Sequence, residues 1–311
     1  MTYVAAIDIG THSALLLIAT LANNQLTPEV DLACTTKLGD RLPRTGAISP
    51  AAMDRLLIVL SRYEAILSEY PIAHLTVFGT AVFRQASNAR DCIALIQRKL
   101  GWPLRVLTKK EEATYTFIGL TQGLAELQPE SFPQSDERPL IALDIGGGST
   151  EIILGTATAM EAQWSLPLGA LGLKQQLELG DPLSAAEITA IRAVLAPHLA
   201  PIAWPASARV IVTGGTATTV AALQLGLIDY DGQRIQGHRC SLDDLTMLLE
   251  ELNRISLSQR ADLPGMEPGR ADVILPALVL LLAVLDDAQA QGITISVQGV
   301  RYGTLRHWIA Q

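Results

Sequence analysis

One segment occurs twice in this 311-residue chain, and that constrains its fold more than any other feature. Ala6–Thr20 reads AIDIGTHSALLLIAT and Ala142–Thr156 reads ALDIGGGSTEIILGT; they align without a gap and share Ala, Asp, Ile, Gly, Ser and Thr at matching positions. Two similar half-molecules follow, and the chain is long enough for each to bury a core of its own. Each copy is an apolar strand ending in Asp, a turn of Gly and small polar residues, then a second apolar strand. This pattern predicts a β-hairpin whose glycines permit positive φ and the close approach of a ligand. Converging turn amides of that kind form a nest for an oxyanion.

Strand and helix signals alternate along the rest of the chain. Ser49-Pro50 opens a predicted helix carrying Met53, Leu56, Leu57, Leu60, Tyr63 and Leu67 at helical spacing. Strands are expected at Leu75–Phe78, Arg105–Leu107, Val210–Val212 and Ile293–Val297, and helices over Asn88–Leu100 and from about Lys110. Ser184-Ala-Ala-Glu187 is a capping box, and Ser241-Leu-Asp-Asp244 reads as another helix start. Gln128–Arg138, polar and with two prolines, is expected to be a long loop. Both halves therefore read as α/β.

Almost half the residues are apolar, yet 54 are charged, the composition of a globular protein. Val273–Leu285 is too short for a bilayer span of roughly 20 residues and reads as a buried core helix. The N-terminus has no basic leader and meets Asp8 early. A cytoplasmic protein with no membrane partner is expected. Cys34, Cys92 and Cys240 lack CxxC spacing and read as buried thiols in a reducing compartment. A net charge of −8 argues against a nucleic-acid polymer as partner, although local Lys and Arg can still line one groove.

Asp8 and Asp144 occupy the same place in each repeat. Each either caps its own turn or joins a shared phosphate and divalent-metal site. Hairpins facing each other across a cleft would make the second reading possible. Glu151 breaks the symmetry, because its counterpart is Leu15: the fold accepts an apolar residue there, so an acid points to metal holding or water orientation. Glu111 and Glu112 lie at a helix start, where the helix dipole alone can account for them. Lys37, Arg41 and Arg44 form a short basic run that reads as a solvated face. Arg84, following a buried strand and a small-residue turn, is better placed as a phosphate clamp. Val210–Val212 runs into Gly214-Gly215-Thr216 and a helix, a geometry suited to a phosphate or nucleotide. No histidine metal spacing, P-loop or GxSxG elbow is present.

Taken together and in order, DIGTHS, GTAVFRQASN, KKEEATYTFIGL, DIGGGSTE, SLPLGALGL, VTGGTATT, GRADVILPA and VRYGTL resemble the exopolyphosphatase / guanosine pentaphosphate phosphohydrolase family over nearly the whole chain. The resemblance implies two ribonuclease H-like domains of the actin/hexokinase/Hsp70-like superfold with an interdomain cleft. Residues 1–120, rejoined by about 300–311, would form the first domain and 121–299 the second. It further implies Mg²⁺- or Mn²⁺-dependent hydrolysis of the terminal phosphoanhydride of polyphosphate, or of the 5′-γ-phosphate of guanosine pentaphosphate in the stringent response. Glu112 and Glu151 would be the catalytic carboxylates. Asp8, Asp144 and Glu151 would hold the metal. Gly10, Thr11, His12, Ser13, Arg84, Gly146, Gly147, Gly148, Ser149, Thr150, Gly214, Gly215 and Thr216 would bind phosphate. A homodimer is also implied.

The chain departs from the family pattern at two places. His12 replaces the usual Asn of the first turn, and Gly172 stands where Arg is common. No HD-like extension follows, so a short two-domain form is expected. Two alternatives stand beside the hydrolase: a small kinase or ATPase of the same superfold, and a noncatalytic binder of polyphosphate or an alarmone.

Overall fold

The computed structural model describes residues 2–130, 132–133, 135–267 and 269–311. Outside the described residues lie Met1 at the head of the expected first domain, Ser131 and Gln134 in the expected long loop, and Pro268. The chain divides into two compact units, Met1–Gly119 with Val300–Gln311, and Leu120–Gly299.

The first unit holds β1 (Thr2–Ile9), β2 (Ser13–Ala22), β3 (Gln25–Thr35), α1 (Leu42–Thr45), α2 (Pro50–Leu67), β4 (Ile72–Gly79), α3 (Ala81–Gln85), α4 (Ala89–Leu100) and β5 (Leu104–Val106). α5 (Lys109–Leu127) begins in this unit, and α13 (Val300–Ile309) ends it. Its sheet has the order β3-β2-β1-β4-β5; β1, β2 and β3 form an antiparallel meander, and β4 and β5 run parallel to β1. β1 is central, and Val4, Ala5, Ala6 and Ile7 are fully buried. A strand covered on both faces needs such an unbroken apolar run rather than alternation.

The second unit holds β6 (Leu140–Ile145), β7 (Thr150–Gly155), β8 (Met160–Leu166), α6 (Ala170–Gln176), α7 (Ala185–Leu199), β9 (Arg209–Thr213), α8 (Gly214–Gln224) and α9 (Gly232–Ile235). It continues with β10 (Arg239–Ser241), α10 (Leu242–Arg254), α11 (Leu257–Ala261), α12 (Ile274–Asp287) and β11 (Gly292–Ile295). The sheet order is β10-β11-β9-β6-β7-β8. Read from β8 to β11 it repeats the first sheet: an antiparallel meander, then two strands parallel to the first. Only β10, antiparallel at the edge, is extra. Two copies of the ribonuclease H-like order bear out the α/β reading and the duplication.

Local chemistry explains the boundaries. Ser49 accepts the amide of Ala52 at the start of α2, with Pro50 in the first turn. Ser184 and Ser241 form capping boxes with Glu187 and Asp244 at α7 and α10. The apolar run at Val273–Leu285 is α12, buried throughout from Ile274 to Leu285. No described helix is long and apolar enough to cross a membrane. Cys92 and Cys240 are buried and burial pushes the Cys240 thiol up to about 12, whereas Cys34 is only half-buried.

α13 and α5 approach at Gly303. A Cβ there would overlap the Tyr115 carbonyl group, whose carbon would lie 2.5 Å away. Tyr115 follows Glu112 by one helical turn, so this glycine lets the C-terminal helix press against the segment that carries Glu112. Gly303→Ala is expected to lower the unfolding free energy by about 1–3 kcal/mol through overpacking, measured by urea denaturation; an unchanged midpoint would show the approach is not tight.

Candidate functional site

Both repeat turns close with the same main-chain bond. Gly10 N donates to Ser13 O at 2.9 Å, and Gly146 N donates to Ser149 O at 3.0 Å. A Cβ would crowd that same oxygen at 3.2 Å in the first turn and 3.1 Å in the second; neither glycine holds the positive φ expected from the sequence, so their use here is close approach of the backbone. The register then sets which side chains stand together. Asp8 pairs with Leu15 across β1–β2, and Asp144 pairs with Glu151 across β6–β7. Directly opposed residues share a face of the sheet, with Cβ atoms about 5 Å apart.

In the first unit, Asp8, Thr11, His12 and Ser13 are all buried. Ser13 Oγ, among the described residues, has no hydrogen-bond partner. Such a buried hydroxyl is costly unless something comes to satisfy it. Glu112 lies in the first turn of α5 and is 6 % exposed. Arg84, at the end of α3, donates through Nη1 to Leu107 O at 2.9 Å and to Glu112 Oε2 at 2.5 Å. Burial pushes the Glu112 carboxyl above its usual range, while Arg84 and, more weakly, Lys109 pull it down.

Its neighbour Glu111 has a different task. Glu111 Oε2 accepts the amide and hydroxyl of Thr108 at 2.9 Å each, and Glu111 N donates to Thr108 Oγ1 at 3.2 Å. That reciprocal box starts α5 and, with Arg105 alongside, holds the Glu111 carboxyl below its usual range. Two adjacent acids are thus separated into a capping residue and a buried, elevated one.

In the second unit, the glycine turn rests on α6. Ala170 N donates to Gly146 O at 3.0 Å, while Leu171 N and Gly172 N donate to Gly147 O at 3.0 and 2.9 Å. A Cβ at Gly169 would fall 2.5 Å from Gly146 O and 2.6 Å from Gly147 C, so only glycine lets α6 come so close. At Gly172 the nearest atom to a Cβ would be Gly147 O at 3.7 Å, an ordinary contact, so packing does not forbid the cation commonly found there. Glu151 is 2 % exposed. It accepts from Ser165 Oγ at 2.9 Å and from Ser149 Oγ at 3.4 Å. Ser165 stands opposite it on β8.

The Asp144 carboxylate occupies the space a Cβ would take at Gly214, the first residue of α8, where φ is +86°. The guanidinium of Arg270 occupies the corresponding space at Gly215 and is 7 % exposed. Its Nε donates to Glu267 Oε2 at 2.7 Å. The two glycines of the GGT segment therefore make room for a carboxylate and a cation at the start of this eleven-residue helix. Sequence reasoning missed Arg270 and Ser165. Arg270 lies 55 positions beyond Gly215, and no local pattern signals the contact.

Not every hydroxyl expected to meet phosphate is available. Thr150 Oγ1 donates to Leu168 O at 2.7 Å, and Thr216 Oγ1 donates to Ile145 O at 3.3 Å. Those side chains fasten the turn and α8 in place; any contact with a ligand falls to their main chain. Among the described residues no three His, Cys, Asp or Glu cluster as a metal site. The opposed pair Asp144 and Glu151 nonetheless fits a hard cation, since Mg²⁺ takes one or two carboxylates and fills its shell with water and phosphate oxygens.

The model of the Ppx/GppA phosphatase family matches residues 17–311. Exopolyphosphatase 2 of Mycobacterium tuberculosis is 31% identical over 287 residues, covering 88% of this chain and 87% of the relative. Exopolyphosphatase 1 of Mycobacterium leprae is 25% identical, covering 96% and 87%. Among solved structures, an exopolyphosphatase from Cytophaga hutchinsonii superposes with a TM-score of 0.88 at 26% identity, covering 99% of this chain and 98% of the other. The Aquifex aeolicus Ppx/GppA family member gives 0.81 at 25% identity, with coverage of 99% and 98%.

Gly169→Ala is expected to displace the glycine turn, and inorganic phosphate held by the turn amides would then bind about tenfold or more weakly, a loss of about 1.4 kcal/mol or more. Isothermal titration with a circular dichroism control checks it; full affinity would mean that the seat on α6 does not shape the turn.

Proposed function

The chain belongs to the Ppx/GppA phosphatase family, and from that premise we propose that it is an exopolyphosphatase, releasing the terminal phosphate of inorganic polyphosphate. One observation carries the reading: the same glycine-closed hairpin, with aspartate next to last in its first strand, occurs in both units, and Glu151 stands in one copy where Leu15 stands in the other. The names of the relatives at 31% and 25% identity support the choice of polyphosphate. Guanosine pentaphosphate presents the same terminal anhydride and is the second substrate to test.

In this reading Glu112 is the general base and Arg84 the cation beside it. Glu151, Asp144 and the Gly146–Ser149 turn are the other groups expected to act. A water oxygen attacks the terminal phosphorus, the anhydride P–O bond breaks, and the shortened chain leaves with the bond's electron pair. Glu112 takes the water's proton, a transfer favoured by a carboxylate whose proton affinity burial has raised. Glu151, held by Ser165 and Ser149, orients the water. Asp144 and Glu151 would hold Mg²⁺ or Mn²⁺, which would supply neutralisation of charge on the phosphate oxygens. The remaining contribution is positioning by turn amides on a rigid sheet.

Phosphate release from polyphosphate, guanosine pentaphosphate and ATP, each with Mg²⁺, tests the proposal against its alternatives. Glu112→Gln and Glu151→Gln are each expected to lower turnover more than about tenfold without loss of folding. Transfer from ATP to an acceptor would favour a kinase, and tight binding without turnover would favour a noncatalytic sensor.

The pH dependence has a definite sign. A general base works deprotonated, so turnover should climb as pH rises through the elevated Glu112 pKa, with the acidic limb above that of an ordinary glutamate. Arg84→Met removes the cation that lowers this pKa and should move the limb further toward alkaline pH. A limb that stays in place in kcat/KM profiles would remove Glu112 from the base role.

A further inference from the structure

The backbone of the basic run after the first repeat sets it apart from an ordinary solvated face. Thr36 N and Lys37 N both donate to His12 O, at 2.9 and 2.8 Å, and Gly39 N donates to Thr11 O at 2.9 Å. The loop is thereby fastened to the two central residues of the first anion turn. Gly39 is needed there because a Cβ would overlap the Thr11 side chain. From α2, Arg55 secures the outer side, its Nε and Nη2 donating to Thr36 O at 2.9 Å and Lys37 O at 3.2 Å.

Within this loop two basic residues hold left-handed backbone, Lys37 at φ 47° and Arg41 at φ 61°. Side-chain-bearing residues seldom adopt it, and it persists where the surroundings over-determine it, typically at ligand clamps. Arg44 N donates to Arg41 O at 3.0 Å, which keeps the two arginines in one tight turn. Arg41 and Arg44 are exposed. The stretch Lys37–Arg44 holds three cations, Lys37, Arg41 and Arg44, and one acid, Asp40, in a chain whose net charge is −8. A local cationic track on an acidic protein is the pattern that draws in a polyanion.

We propose that the Lys37–Arg44 loop is the subsite for the phosphates behind the scissile one, and so sets the preference for long chains. This rests on the polyphosphate reading above. The contacts are electrostatic and repeat along the polymer, so affinity through them grows with chain length and falls with salt.

The test is equilibrium binding of long-chain polyphosphate and of tripolyphosphate at two salt concentrations, on Glu112→Gln protein with and without Arg41→Ala/Arg44→Ala. Thermal melts check folding. The expected result is a loss of at least about tenfold in long-chain affinity at low salt with a shallower salt dependence, a clearly smaller loss for tripolyphosphate, and recovery in Arg41→Lys/Arg44→Lys. Equal losses for both lengths, or none, overturn the subsite. A parent protein that holds neither ligand overturns the subsite and the polyphosphate reading together. Loop-dependent binding by a native protein that releases no phosphate upholds the subsite and overturns hydrolysis alone.

Discussion

Everything about the candidate site follows from a main-chain hydrogen bond made twice, from the glycine after each strand-ending Asp-Ile to a serine carbonyl three residues on. It closes the hairpin in one register, and register decides which side chains meet. A slip of one residue would exchange the faces on which the side chains of β1 or β6 lie and would carry Asp8 or Asp144 to the opposite side of its sheet. The same constraint that builds the core therefore aligns Asp144 with Glu151 and Asp8 with Leu15. Packing and chemistry are specified by one geometric choice.

Around this frame, residues of similar type are set in different surroundings by burial and bonding. Glu111 is half-buried and ties down the start of α5; Glu112, one position on, is buried against Arg84 with its proton affinity raised. Thr150 and Thr216 close internal bonds, whereas Ser13 keeps a buried hydroxyl for which no described residue is a partner. Glycine serves twice in another sense. At Gly214 and Gly215 its missing side chain is replaced by the functional groups of Asp144 and Arg270, so the GGT segment is a mould for neighbours as much as a turn.

Much of this was legible in the sequence because the signals are local. The repeated Asp-Ile-Gly hairpins, the Ser caps of α2, α7 and α10, and the apolar run of α12 each depend on residues within a few positions of one another. Strand β3 was not foreseen, since Thr27, Pro28 and Glu29 give an exposed edge the look of a loop; the signal lay just before it, in Asn23 and Asn24, whose φ of 50° and 62° make the turn such pairs favour. The order of the sheets beyond the hairpins, the Arg270–Gly215 contact and the clasp of Ser165 on Glu151 depend on pairings between distant segments, and nothing in the neighbouring residues records them. The expected role of Arg84 gained a partner the sequence did not suggest: its guanidinium is engaged by Glu112 within the same unit.

In the second unit the glycine turn sits on α6 by its carbonyls. Three amides of that helix take the carbonyls of Gly146 and Gly147, leaving N–H groups as the main-chain function the loop can turn toward an anion. Peptide N–H groups do not titrate in the range where carboxylates do. A hold on phosphate built from them requires no protein group to change its protonation, while any step that depends on Glu112 does, so on the protein's side the two answer to acidity separately.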